Sequence, residues 1–205
     1  RRRGRGAGSR SPRGSARAKT GVTGDPAILW VGRLTMNKDP LTVLDGFARF
    51  LSVKPDATLT WVFSEGVMEP AVRRAMAGDA RLSAHVRLVG AVSPADMPAY
   101  YSAADIFVSG SRMEGSGYAA IEAMACGATP VLTDIPSFRA MTDHGRVGGL
   151  WSQGHAQSLC DVLTRVAAEP REQGRERVRA RFDKALSWEI IGRRAVAIYR
   201  EVCAR

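Results

Sequence analysis

Residues 105–131, DIFVSGSRMEGSGYAAIEAMACGATPV, constrain the fold more than any other part of the chain. Ile106, Phe107 and Val108 make an apolar run of strand length. Gly110, Gly115 and Gly117 then space a loop whose backbone can approach a ligand closely. Tyr118 to Cys126 is expected as a helix, stopped by Gly127 just past its end. Pro130 stands at the mouth of a second strand, where its missing N–H does least harm. Glu114 and Glu122 frame the loop and helix, with seven residues between them. This layout aims free backbone N–H groups and a positive helix end at whatever lies outside the strand ends, a place suited to phosphate.

The same rhythm runs from about Asp25 onward. Strands are expected at 27–32, 58–63, 86–90, 105–109, 129–133 and near 147–151. Helices are expected at 40–51, 69–77, 94–104, 117–126 and near 136–142, then at 155–168, 171–184 and 187–204. The first long helix carries its apolar face at Leu41, Leu44, Phe47 and Leu51, and the last places Trp188, Ile191, Ala195, Ile198 and Val202 along one stripe. Short buried strands alternating with helices call for an α/β fold, a parallel sheet covered on both faces. In such open sheets ligands bind outside the carboxyl ends of the strands, so the loops at 32–39, 64–68, 90–94, 109–117 and 133–137 are the places to look.

The net charge of +10 invites a nucleic-acid reading, and its distribution weakens that reading. Residues 1–20 carry eight basic groups and no acid, whereas residues 21–169 hold twelve basic and fifteen acidic groups. The body is slightly acidic and the basicity belongs to the ends. Residues 1–20 are rich in Arg, Gly and Ser, and read as a disordered low-complexity tail before a domain at 21–205. Such a tail reads first as a solvated segment, with peripheral association with an anionic membrane surface as the alternative, and nucleic acid is not an expected partner. The first Met is Met36, so residue 1 is not expected to be a native start. Three widely spaced cysteines without metal-ligand spacing point to a reducing, cytoplasmic setting. No apolar run is long enough to span a membrane.

A second constellation lies after the first strand, at Gly32-Arg33-Leu34 and Lys38. A glycine at the strand end lets the chain turn, and two cations five residues apart can close on one diphosphate. Together the two constellations resemble the donor-binding domain of retaining, nucleotide-sugar-dependent glycosyltransferases, the group that includes sucrose-phosphate synthase and many bacterial mannosyltransferases. The family pattern stands here as Glu114-Gly115-Ser116-Gly117 through Glu122-Ala123-Met124-Ala125-Cys126-Gly127, then Pro130-Val131, with Gly-Arg-Leu…Lys upstream. Residues 92–108 and the terminal SWEIIGRRAVAIYREV also look like the family, so the resemblance runs from about 26 to 203. Three departures bear on sugar preference: Ser116 replaces an aromatic residue, Tyr118 replaces Leu, and a Pro before the first Glu is missing.

The resemblance implies a Rossmann-like sheet forming one half of a two-domain GT-B architecture, the N-terminal acceptor domain being absent from this chain. It implies that Arg33 and Lys38 bind the diphosphate and offset charge on the leaving group, and that Glu114 meets the donor sugar. Gly115, Ser116, Gly117 and Tyr118 would present backbone N–H groups, Gly32 the strand-end turn, and Glu122 an acceptor for the ribose hydroxyls. The implied activity is transfer of a hexosyl group from a UDP-, GDP- or ADP-sugar to an acceptor, with retention. No Asp-x-Asp occurs in the chain, so no metal ligand is assigned, no cofactor beyond the nucleotide sugar is expected, and the reaction is expected to need no metal. Ser64-Glu65-Gly66 is a weaker candidate, and Arg139 stands near where many relatives have another Glu. The alternative is a non-catalytic nucleotide-binding domain without activity of its own.

Overall fold

The computed structural model describes residues 13–64 and 66–203. Six strands form one parallel sheet: β1 (Ala27–Arg33), β2 (Thr58–Ser64), β3 (Val86–Gly90), β4 (Ile106–Ser109), β5 (Thr129–Thr133) and β6 (Gly149–Trp151). Their spatial order is β3-β2-β1-β4-β5-β6, the doubly wound arrangement in which the chain reverses direction between β1 and β4. Among the described residues ten α-helices alternate with these strands. They are α1 (Arg13–Thr20), α2 (Pro40–Leu51), α3 (Glu69–Ala77), α4 (Ala80–His85), α5 (Met97–Ala103), α6 (Tyr118–Ala125), α7 (Pro136–Met141), α8 (Ala156–Ala167), α9 (Arg171–Ala185) and α10 (Trp188–Cys203). The expected α/β fold, a Rossmann-like parallel sheet with helices on both faces, is the fold observed. Among the described residues no helix is long and apolar enough to cross a membrane.

Both faces of the strands are apolar, as burial on both sides requires. Ile28, Trp30, Leu59, Trp61 and Phe63 point to one side, where they pack with Phe47 and Leu44 of α2 and Leu159 of α8. Trp30 and Trp61 stack there with ring centroids 5.0 Å apart. Leu29, Val62, Phe107 and Leu132 point to the other side, against Tyr101 of α5, Met124 of α6 and Phe138 of α7. Each such side chain, moved wholly out of water, contributes about 1.5–3 kcal/mol, so the two layers anchor the strand ends firmly.

Where the strand order reverses, pairing is thin. β1 matches β2 over seven residues, from Ala27–Thr58 to Arg33–Ser64. It matches β4 only at Ile28–Ile106 and Leu29–Phe107. Beyond Leu29 the two central strands part, and a crevice opens at their carboxyl ends. The loops leaving β1 and β4 flank it.

Two expectations differ from the structure. The boundary of the basic tail at residue 20 is too late, because Arg13–Thr20 is the helix α1, with Ala16 and Thr20 buried. Arg17 donates to Asp105 Oδ2 at 3.0 Å and to the Ala103 carbonyl at 3.1 Å. A buried carboxylate beneath two arginines one turn apart orders a segment that has few apolar residues of its own. The first twelve residues of the expected tail lie outside the described residues. The apolar stripe of α10 does not enter the core either: none of its residues is buried, and Trp188 is 75% exposed. Ser187 does cap this helix weakly, accepting from Ile190 N–H at 3.4 Å.

Candidate active site

The crevice is built by two loops that grip each other. After β1 the chain makes a short 3-10 turn, Met36–Lys38, then enters α2 through Asp39, which takes a left-handed conformation (φ 43°). After β4 it runs through Gly110 to Gly117. Gly110 is needed for the close approach: a Cβ there would lie 2.8 Å from the Lys38 carbonyl oxygen. Asn37 Nδ2 donates to the Met113 carbonyl at 3.0 Å, and Met113 N–H donates to Asn37 Oδ1 at 3.1 Å. Arg112 N–H donates to the Asn37 carbonyl at 2.8 Å, and its guanidinium reaches Asp39 at 3.2 Å.

This zipper brings Lys38 and Glu114 into an ion pair across the crevice, with about a fifth of each side chain exposed. Ser111 Oγ donates to the same carboxylate oxygen at 2.9 Å and lies 3.0 Å from Ser109 Oγ. Thr133 Oγ1 donates to the Ser111 carbonyl, and Trp151 Nε1 donates to the Ser109 carbonyl at 3.1 Å. The loop after β4 is thereby tied to β5 and β6 as well as to the loop after β1.

Gly117 closes the loop and begins α6. Its φ of 61° is left-handed, and a Cβ on it would lie 2.9 Å from Phe138 Cε1, so both conformation and space call for glycine. No side chain caps α6, and the Ala120 and Ile121 N–H groups turn back to the Gly117 carbonyl. The first N–H groups of the helix therefore stay open beside Lys38 and Glu114. Val31, Lys38, Ser109, Glu114, Gly117, Tyr118 and Phe138 line one cavity here. A second cavity shares Val31 and Lys38 and continues along Gly32, Arg33, Phe63, Ser64 and Val92. Lys38 is thus the hinge between two adjoining hollows.

The expected site residues fall into three groups. Lys38, Glu114, Gly117 and Tyr118 share the first cavity, and Gly32, Arg33 and Lys38 share the second. Gly115 and Ser116 are exposed on the loop between, and a Cβ at Gly115 would meet nothing within 4 Å. Glu122 lines neither cavity. Its carboxylate accepts a 2.8 Å hydrogen bond from the hydroxyl of Tyr101, a residue only 2% exposed. Burial first, and then the charge of Glu122, push the Tyr101 phenol above its ordinary range. Ser64 joins the second cavity, while Glu65 lies outside the described residues. Arg139 pairs with Asp134 at 2.5 and 2.9 Å and holds that carboxyl below its usual range.

Sequence reasoning missed Asn37, Asp39, Ser111, Arg112 and Tyr101. Asn37 and Asp39 flank Lys38 and could have been suspected from that adjacency. Nothing in the sequence marks Tyr101 as the partner of Glu122.

A family model described as glycosyl transferases group 1 matches residues 13–184. The chain belongs to this glycosyltransferase family. A D-inositol 3-phosphate glycosyltransferase from Thermobispora bispora is 27% identical over 95% of this chain and 48% of its own length. The sucrose-phosphate synthase of Thermosynechococcus elongatus superposes with a TM-score of 0.77 at 26% identity, covering 94% of this chain and 49% of that one. An Anabaena protein solved with UDP and glucose shares the fold at a TM-score of 0.74 and 18% identity, over 96% of this chain and 53% of that one. The chain thus spans about half the length of the curated relatives it matches. The chain is thus a member of the group 1 glycosyltransferases that corresponds to one half of their two-domain relatives.

Proposed function

We propose that this domain, α1 included, carries the nucleotide-sugar site of a retaining glycosyltransferase, and that it transfers a hexosyl group when joined to an acceptor domain. The observation that carries the reading is the meeting of Lys38 and Glu114 at the switch point, beside the uncapped start of α6. Residues far apart in the chain converge where a doubly wound sheet places its ligands.

In this reading the diphosphate lies across Lys38 and Arg33, with the first N–H groups of α6 completing its shell. Transfer breaks the bond between the anomeric carbon and the diphosphate oxygen, whose electron pair leaves with the diphosphate. It forms a bond from the anomeric carbon to an acceptor hydroxyl oxygen, whose proton passes to the departing diphosphate. Lys38 and Arg33 offset that growing charge, a service worth about 2.7–4 kcal/mol of barrier per donor. Glu114, already turned to the crevice by Ser111, accepts from hydroxyls of the sugar. Fixed cations and a helix end stand where other enzymes use a divalent ion, and this supports metal-independent chemistry. A cytoplasmic setting fits nucleotide-sugar supply. Glu122 would bind the ribose hydroxyls through the carboxylate that Tyr101 holds. The solved relative with UDP and glucose favours testing UDP first.

The test is calorimetric titration of the chain with UDP, GDP and ADP, with and without chelator. The reading expects one nucleotide to bind, unaffected by chelator, and to be weakened by Lys38→Ala and Glu122→Ala. Binding that needs Mg²⁺ or Mn²⁺ would overturn the metal-independent part. Nucleotide binding without transfer, even when the acceptor domain of a relative is fused upstream, would favour a non-catalytic nucleotide-binding domain.

A further inference from the structure

Ser111 acts on the crevice without opening onto it. It is completely buried and lines neither hollow, yet its hydroxyl donates to Glu114 Oε1 at 2.9 Å. The Lys38 ammonium reaches the same oxygen, and among the described residues no donor reaches Oε2. Two donors, one charged and one neutral, therefore hold the carboxylate by a single oxygen.

The two differ in how firmly they are fixed. The Ser111 hydroxyl has one proton and gives it to Glu114, so its 3.0 Å contact with Ser109 Oγ is a bond that Ser109 donates. Thr133 Oγ1 donates to the Ser111 carbonyl, and Trp151 Nε1 to the Ser109 carbonyl. Ser111 is thus locked to β5 and β6. Lys38 is the reverse. Its flexible stem passes Gly32, where a Cβ would lie 3.6 Å from Lys38 Cε, and its side chain borders both hollows.

A diphosphate arriving beside Arg33 changes the balance. It carries more negative charge than one carboxylate, so the Lys38 ammonium is drawn toward it. Glu114 then loses its charged donor while only 18% of its side chain is exposed. A carboxylate left without a donor in such a place costs more free energy than a neutral group would. Whatever still holds Glu114 decides how readily Lys38 is given up.

We propose that Ser111 is a positioning residue for donor capture, keeping Glu114 in place while Lys38 changes partner from that carboxylate to the diphosphate. The inference rests on the reading that a nucleoside diphosphate binds at Lys38. One N–H···O bond is exchanged for another, and no covalent bond is made or broken. The same arrangement leaves Glu114 Oε2 open for a hydroxyl of the sugar.

The experiment is a double-substitution cycle on the full chain. Wild type, Ser111→Ala, Glu114→Gln and the double variant are titrated by calorimetry with UDP, GDP and ADP, and melted in parallel. Ser111→Ala should weaken binding of the nucleotide that wild type takes up about tenfold, although Ser111 lines no part of the crevice. Added to Glu114→Gln, the same change should cost less than about threefold, because a neutral amide tolerates the loss of one donor. Ser111→Cys, with a weaker donor in a similar volume, should fall between the two and provides the test if the alanine variant does not fold. A purely structural role would lower Tm in both backgrounds and leave the affinities unmoved. The inference is overturned if Ser111→Ala binds nucleotide like wild type, or if it weakens binding equally with and without Glu114→Gln. Either result leaves the donor site standing, whereas a wild-type chain that binds none of the three nucleotides removes that reading and this inference together.

Discussion

Asn37 and Met113 close a two-hydrogen-bond ring between loops that lie 76 positions apart, with the Asn37 side chain acting as a short piece of backbone. The ring sets the register of the loop after β1 against the loop after β4. Lys38 follows Asn37 and Glu114 follows Met113, so the ring also sets the distance between the two charged groups. Asn37→Ala removes both bonds. At about 0.5–1.5 kcal/mol each, and with both exposed, the loss of stability should stay near 1–2 kcal/mol. Nucleotide affinity should fall as well, because Lys38 is no longer held over the crevice. Denaturant unfolding and calorimetry on one preparation separate the two effects; unchanged affinity would mean that the ring serves stability alone.

The pair beside it yields a prediction with two signs. Lys38→Ala should weaken nucleoside diphosphate binding about ten- to a hundredfold, the usual scale for a charged hydrogen-bond donor. Glu114→Gln should strengthen binding of the free nucleoside diphosphate, since the carboxylate that now occupies Lys38 loses its charge. The same variant should lose transfer if Glu114 holds the sugar. Titrations with UDP, GDP and ADP on both variants check this. Equal weakening by both substitutions would show that the pair acts as one structural unit.

Much of this was open to a reader of the sequence. Ile28 and Leu29, or Trp61 and Val62, alternate between two apolar layers, and apolar strands spaced by helices leave few arrangements other than a parallel sheet. The glycines and Glu114 after β4 marked the crevice, since Gly110 and Gly117 stand where backbone approaches other atoms closely. What stayed hidden was long-range and polar. Arg17 with Asp105, Asp39 with Arg112 and Tyr101 with Glu122 are polar pairs between segments well separated in the chain, and no periodicity records such a pair. The apolar stripe of α10 shows a different limit. Spacing reveals that a helix has an apolar face, and it does not reveal whether this chain covers it.

Gly117 and Gly115 should separate folding from binding. Gly117→Ala imposes a left-handed conformation on an L side chain, about 1–2 kcal/mol, and presses a methyl group against Phe138. A clear fall in Tm is expected. Gly115→Ala has open space around it, so Tm should hold, while a backbone that approaches the donor there would lose affinity. Thermal melts with calorimetry test both. A stable Gly117→Ala protein would remove the steric account of the helix start.

Tyr101 makes stability depend on alkaline pH. Its phenol is pushed above the ordinary value by burial and by the adjacent Glu122 carboxylate, so the folded protein keeps its proton where the unfolded chain loses it. Below the unfolded phenol's pKa near 10 both states are protonated and the contribution is fully present. As pH rises past that value the unfolded chain binds fewer protons than the native one, and stability falls with a slope approaching about 1.4 kcal/mol per pH unit. Tyr101→Phe should flatten this slope, although it costs the 2.8 Å bond to Glu122 at neutral pH. Urea unfolding at a series of pH values above neutrality compares the two proteins. The same variant should weaken binding of a nucleotide with ribose hydroxyls more than that of its 2′,3′-dideoxy analogue, because the carboxylate that Tyr101 orients is the one assigned to the ribose. Equal losses for both nucleotides would return Tyr101 to a purely structural role.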